Sequence, residues 1–120
     1  MKRYILLIAY APHDWESPPE ALREEFFAAH HAFETYVDAH GRRLSSAALA
    51  GADTATTVRH VNGSATVTDG PFVETTEQVG GSYDIELPDL DAAIAAGKLL
   101  PSSYTVEIRP AITIEGYTSA

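Results

Sequence analysis

Residues Tyr4–Ala9 read YILLIA. In an extended chain, side chains alternate between faces, so Tyr4, Leu6 and Ile8 share one face while Ile5, Leu7 and Ala9 share the other. Both faces are apolar, as expected of a central strand covered on each side. Two tyrosines interrupt the apolar run and Pro12-His13-Asp14-Trp15-Glu16 follows it, so it reads as a buried strand rather than a signal peptide. No apolar stretch reaches the ~20 residues needed to span a bilayer.

The elements around this strand follow from local signals. Ser17-Pro18-Pro19-Glu20 has capping-box spacing with proline in the first turn, predicting a helix that runs to about His40 and stops at Gly41. At 100° per residue, Leu22, Phe26, Ala29, Phe33, Val37 and His40 form a stripe about 80° wide, which predicts packing on a sheet. Arg43–Leu49 reads as a weak strand and Gly51-Ala52-Asp53 as a loop. Thr56–Val61 and Ser64–Thr68 flank Asn62-Gly63, a strong hairpin signal because both turn residues tolerate positive φ. Gly81–Leu87 predicts another strand, and Asp89 caps a short helix over Leu90–Leu100 that Pro101 breaks. Tyr104–Pro110 is a strand with Val106 and Ile108 on one face and Thr105, Glu107 and Arg109 on the other. The tail AITIEGYTSA has enough Ile and Thr for an edge strand.

The predicted fold class is α+β, with two helices covering one face of a mainly antiparallel sheet. Helices on one side leave Ile5, Leu7 and Ala9 uncovered, and a second copy is the economical cover. A homodimer is therefore expected from strand chemistry.

The chain has 120 residues, one domain's worth, with 45% hydrophobic residues and a net charge of −9. That charge repels nucleic acid and anionic membrane. With no cysteine, disulfides and thiolate chemistry are excluded, and a cytoplasmic setting is suited. The five histidines lack metal-ligand spacing. His30 lies on the flank of the apolar stripe, about 40° from Phe26, whereas His31 lies about 140° away and should be solvated. A half-buried imidazole needs hydrogen-bond partners; a carboxylate would make it a base, and a backbone carbonyl would make it merely structural.

Val67–Ile85 reads VTDGPFVETTEQVGGSYDI. Gly70-Pro71 predicts a sharp turn after the hairpin that aims Phe72 into the core. Asp69 is either a turn residue bonded to backbone N–H groups or a carboxylate that orients a histidine. Glu74 and Glu77 crowd the same loop as candidate ligand contacts, and Glu107 with Arg109 projects from one strand face as a possible polar patch. Gly80-Gly81 lacks the strand-to-helix context of a dinucleotide fingerprint, and neither a phosphate loop nor a nucleophile elbow occurs.

TATTVR at 54–59, VTDGPFVETTEQVGG at 67–81 and VEIRP at 106–110 together resemble the YCII-related family, specifically its DGPF branch. The resemblance covers nearly the whole chain. It implies a ferredoxin-like dimeric α+β barrel with an inserted hairpin, and relatives encoded near or fused to extracytoplasmic-function sigma factors. It also implies an active-site dyad of a first-helix histidine and an aspartate, and a relative that resembles a dehydrochlorinase acting on a hydroxylated aromatic. His30 matches the family histidine, standing eleven positions before Gly41, and Asp69 is the acidic match. Glu74-Thr75-Thr76-Glu77 lacks the lysine of the usual ETKE, and Ala47-Ala48-Leu49 replaces the usual Gly-Pro-Leu. Two functions follow: a cofactor-free enzyme using His30 and Asp69 in elimination or isomerisation of a small cyclic or aromatic metabolite, or a non-catalytic dimer binding a small molecule or a sigma factor.

Overall fold

A computed structural model describes residues 1–11 and 19–118. His13, Trp15 and the predicted capping residue Ser17 lie outside the described residues. The elements, in chain order, are β1 (Lys2–Tyr10), α1 (Glu20–His40), β2 (Arg42–Ala48), a single 3-10 turn (Ala52–Thr54), β3 (Thr56–Val61), β4 (Ser64–Asp69), β5 (Gln78–Leu87), α2 (Leu90–Gly97) and β6 (Thr105–Pro110).

Four strands form an antiparallel sheet in the order β2-β5-β1-β6, so YILLIA is a central strand as its two apolar faces require. One sheet face carries both helices. Its core is Tyr4, Leu6 and Ile8 from β1, Phe33 and Val37 from α1, Tyr83, Ile85 and Leu87 from β5, and Ala93, Ala96 and Leu100 from α2 and the turn after it. The helical stripe behaves as its periodicity predicts at Phe26, Phe33 and Val37, which are buried. At its end His40 is exposed and bonds the Tyr36 carbonyl at 2.8 Å. The opposite sheet face holds Ile5, Leu7 and Ala9 between charged pairs: Arg3 donates to Asp84 at 2.8 and 2.6 Å, and Glu107 faces Arg109 at 3.9 Å.

Gly41 ends α1 without a left-handed turn, its φ being −167°. Its need for glycine is close approach: a Cβ there would overlap the Glu86 carbonyl oxygen and lie 2.9 Å from the Glu86 carbonyl carbon and 3.3 Å from Leu87 Cα. The chain can thus leave the helix and enter β2 directly alongside β5. At α2, the Asp89 carboxylate accepts from the Ala92 N–H at 2.9 Å, the expected N-cap, and the helix ends at Gly97, three residues before the predicted end.

β3 and β4 pair as a separate two-stranded antiparallel hairpin, with Asn62 (φ 49°) and Gly63 (φ 81°) both in the left-handed region. Its paired Val58 and Val67 stay 61% and 65% exposed. The turn that follows corrects one expectation: Phe72 points outward and is 73% exposed. Hydrogen bonds explain this. Gly70 N–H donates to the Ala55 carbonyl at 2.7 Å, Thr57 Oγ1 to the Gly70 carbonyl at 2.7 Å, and the Arg59 guanidinium to the Phe72 carbonyl at 3.0 Å. The backbone is thereby held along the hairpin, and the ring stays outside the core. The tail also differs, because residues 111–118 form no strand and only Ala111 continues the pairing, donating to the Arg3 carbonyl at 3.0 Å. Among the described residues, no helix is long and apolar enough to cross a membrane.

Candidate functional site

His30 sits on α1 where the helix crosses the end of β1 and β5, and the sheet supplies its partners. Tyr83 belongs to the buried face of β5, which it shares with Ile85 and Leu87. Tyr104 is fixed just before β6 by a turn in which its N–H donates to the Pro101 carbonyl at 3.0 Å. The imidazole lies between these two phenols: Nδ1 is 2.8 Å from the Tyr83 hydroxyl and Nε2 is 3.0 Å from the Tyr104 hydroxyl. Glu34, one helical turn after His30, accepts a hydrogen bond from the Tyr83 hydroxyl at 3.0 Å through Oε2. Its other oxygen, Oε1, lies 3.5 Å from Arg43 on β2, which also donates to Asp38 at 3.0 Å through two nitrogens. A chain of polar groups therefore runs Tyr104, His30, Tyr83, Glu34, Arg43.

Aromatic packing holds this chain in place. Tyr10 stacks on Tyr104 with centroids 5.4 Å apart, Phe26 meets Tyr104 edge-on at 5.7 Å, and Phe33 packs against Tyr83 at 4.4 Å. Gly80 makes room for this arrangement, since a Cβ there would overlap the Tyr10 ring. The Gly80-Gly81 pair thus lies inside β5, three residues beyond whose predicted start the strand extends, at a bulge where Ile8 pairs with Gly81 and Ala9 with Val79. A glycine at such a bulge permits close approach.

The result is a cavity of about 330 Å³ lined by His30, His31, Glu34, Tyr10, Phe27 and Tyr104, with Ile8, Ala47, Ala48, Gly80, Gly81 and Tyr83 completing its walls. Burial lowers the His30 pKa from the usual 6.5, outweighing the opposing pull of Glu34, and His31 adds to the lowering. The imidazole is accordingly neutral at physiological pH, with one ring nitrogen unprotonated. Burial raises the Tyr83 hydroxyl, reinforced by its bond to Glu34, and pushes Tyr104 up to about 12. Both phenols stay protonated. A neutral imidazole between two intact phenols can accept a proton at one nitrogen while remaining bonded at the other.

The other residues singled out from sequence fall elsewhere. Asp69 closes β4 opposite Thr56 and lines neither this cavity nor the larger one described next, and both ring nitrogens of His30 face tyrosine hydroxyls. The carboxylate tied to the histidine is Glu34, through Tyr83. A second cavity of about 540 Å³ lies beyond the same end of the sheet, among Ala9, Leu49, Val79 and the loops 50–57 and 71–78. Glu77 lines it and accepts from Thr105 Oγ1 at 2.8 Å, while Glu74 is exposed in the adjoining loop. Glu107 and Arg109 stand on the open sheet face at 62% and 72% side-chain exposure, as an ordinary surface pair. Sequence reading passed over Tyr83, Tyr104 and Glu34. Only Glu34 carried a local signal, its i+4 spacing from His30.

The chain is thus an α+β protein, a four-stranded antiparallel sheet with two helices on one face and a histidine-tyrosine cavity between the first helix and the sheet. The chain matches the YCII-related domain over residues 2–110 and belongs to that family. It is also similar to an uncharacterised protein of Rhizobium meliloti (strain 1021), 40% identical over 79 residues, which is 62% of this chain and 63% of that protein.

Proposed function

We propose that this chain is a cofactor-free proton-transfer enzyme in which His30 is the general base. The observation that carries the proposal is the neutral His30 imidazole, held between two protonated phenols at the wall of a 330 Å³ cavity. Aromatic rings at Tyr10, Phe27 and Tyr104 suit a small cyclic or aromatic substrate, on which isomerisation needs only proton movement and elimination adds only the departure of a leaving group. In this reading the chain is of the DGPF branch, carrying Asp69-Gly70-Pro71-Phe72 after its hairpin, and two copies pack open sheet face to open sheet face as a barrel-like homodimer. Ile5, Leu7 and Ala9 support the pairing, and Glu107 and Arg109, on the same face, then lie at the joint rather than beside His30.

A second reading, a ligand-binding dimer, is favoured by the 540 Å³ cavity, whose lining is mostly aliphatic with one carboxylate, Glu77. One experiment separates the two. Small cyclic ketones and phenols are incubated in D2O, and solvent exchange at their acidic C–H positions is followed by NMR. Proton transfer predicts accelerated exchange that falls by about 10²-fold or more in His30→Gln. Binding of a probe without exchange in either protein would favour the second reading.

A further inference from the structure

Hydrogen-bond direction around His30 is fixed from one end. An ionised Glu34 carboxylate only accepts, so the Tyr83 hydroxyl spends its single proton on Glu34 Oε2 at 3.0 Å. The Tyr83 oxygen can then only accept at its other contact, which is His30 Nδ1 at 2.8 Å. Nδ1 must carry the ring proton, and Nε2 is left with a lone pair that accepts from the Tyr104 hydroxyl at 3.0 Å.

From this geometry we infer that Glu34 and Tyr83 are positioning residues that lock His30 in its Nδ1–H form, and that the Tyr104 hydroxyl is the catalytic group that meets the substrate. This rests on the proton-transfer reading above and deepens it. In the step so assigned, the substrate gives a proton to the Tyr104 oxygen as the hydroxyl proton of Tyr104 passes to His30 Nε2. The electron pair of the broken bond stays on the substrate, and the imidazolium formed is hydrogen-bonded through Nδ1–H to Tyr83 and thence to Glu34. Reversing the relay returns the proton to another position for isomerisation; in elimination the substrate's pair expels a leaving group as its anion, and the imidazolium gives its proton through Tyr104 to that leaving group or to solvent. No oxidant or reductant enters the balance. Tyr104 suits this role because it lines the cavity, is stacked against Tyr10 and holds its proton until one leaves toward His30. Arg43, 3.5 Å from Glu34 Oε1, holds that carboxylate in place toward Tyr83.

The test reads the tautomer directly, from long-range 1H–15N correlations of the His30 ring in the whole chain, recorded above its titration range. The wild type is expected to show a protonated Nδ1 and an unprotonated Nε2. Tyr83→Phe removes the acceptor and should shift the ring to the Nε2–H form, donating to Tyr104. Glu34→Ala should move it the same way, whereas Glu34→Gln, whose amide oxygen still accepts, should restore most of the wild-type pattern. Should Tyr83→Phe fail to fold, the part-exposed Glu34 variants carry the test. Tyr104→Phe should keep Nδ1–H while lowering probe exchange by about 10²-fold. A wild type in the Nε2–H form, or a tautomer indifferent to both Tyr83→Phe and Glu34→Ala, overturns the inference. Exchange retained in Tyr104→Phe overturns the role of Tyr104. An Nδ1–H ring in a protein that exchanges no probe refutes instead the proton-transfer reading and leaves the positioning arm standing.

Discussion

Replacing Gly80 by alanine should damage the site while barely changing stability. The added Cβ would overlap the far end of the Tyr10 ring, and carbon pairs prefer about 3.5–4.0 Å, so the ring must withdraw by about 1 Å or more. Its retreat sacrifices the 5.4 Å stack on Tyr104, which is worth about 0.5–1.5 kcal/mol. Against this, alanine in place of glycine restricts the unfolded chain and returns about 0.4–1 kcal/mol, since the backbone at Gly80 is outside the left-handed region. The net loss is about 1 kcal/mol or less, a fall of about 5 °C at most for a domain of this size. Tyr104, freed on one side, no longer holds its hydroxyl on His30 Nε2. Urea unfolding read beside the His30 ring resonances tests both halves. A loss above about 3 kcal/mol would mean that the backbone gave way instead of the ring. His30 signals identical to wild type would mean that Tyr10 does not hold Tyr104, and either result refutes the reasoning.

Gly41→Ala is the contrasting case, because the obstructing atoms are the backbone of Glu86 and Leu87, which cannot swing aside. It should lose about 3 kcal/mol in the same urea experiment, and little change would contradict the close approach of helix end and strand. The lowered pKa of His30 predicts a pH dependence of stability. Between the ordinary histidine value of about 6.5 and the lower native value, the unfolded chain binds a proton that the folded chain does not. Stability should therefore fall as pH is lowered through that window and level off below it; His30→Gln should flatten the slope, and an equal slope in both proteins would assign it to other groups.

The sheet was legible because its signals are local. YILLIA is apolar on both faces and lies between β5 and β6, and Asn62-Gly63 takes the two positive φ values that the hairpin turn requires. Gly80-Gly81 and Phe72 were not legible, for a shared reason. Their roles depend on what faces them across the fold: the Tyr10 ring in one case, and the hydrogen bonds from Thr57 and Arg59 to the turn in the other. The site divides the same way. Helical spacing places His30 on the flank of the buried stripe, whereas its partners Tyr83 and Tyr104 lie 53 and 74 positions along the chain and read in sequence as ordinary strand aromatics. Asp69 drew attention through its place beside Gly70-Pro71 and through a sequence resemblance, whereas Glu34 is the acid that this chain's own packing ties to His30 through Tyr83.

The most direct test of the account is a titration of the His30 imidazole by NMR in the wild type, Asp69→Asn and Glu34→Gln. The wild-type midpoint should lie below 6.5, unmoved by Asp69→Asn and lower still in Glu34→Gln, because Glu34 is the charge that holds it up. A wild-type midpoint at or above 6.5 that drops in Asp69→Asn and ignores Glu34→Gln would contradict it.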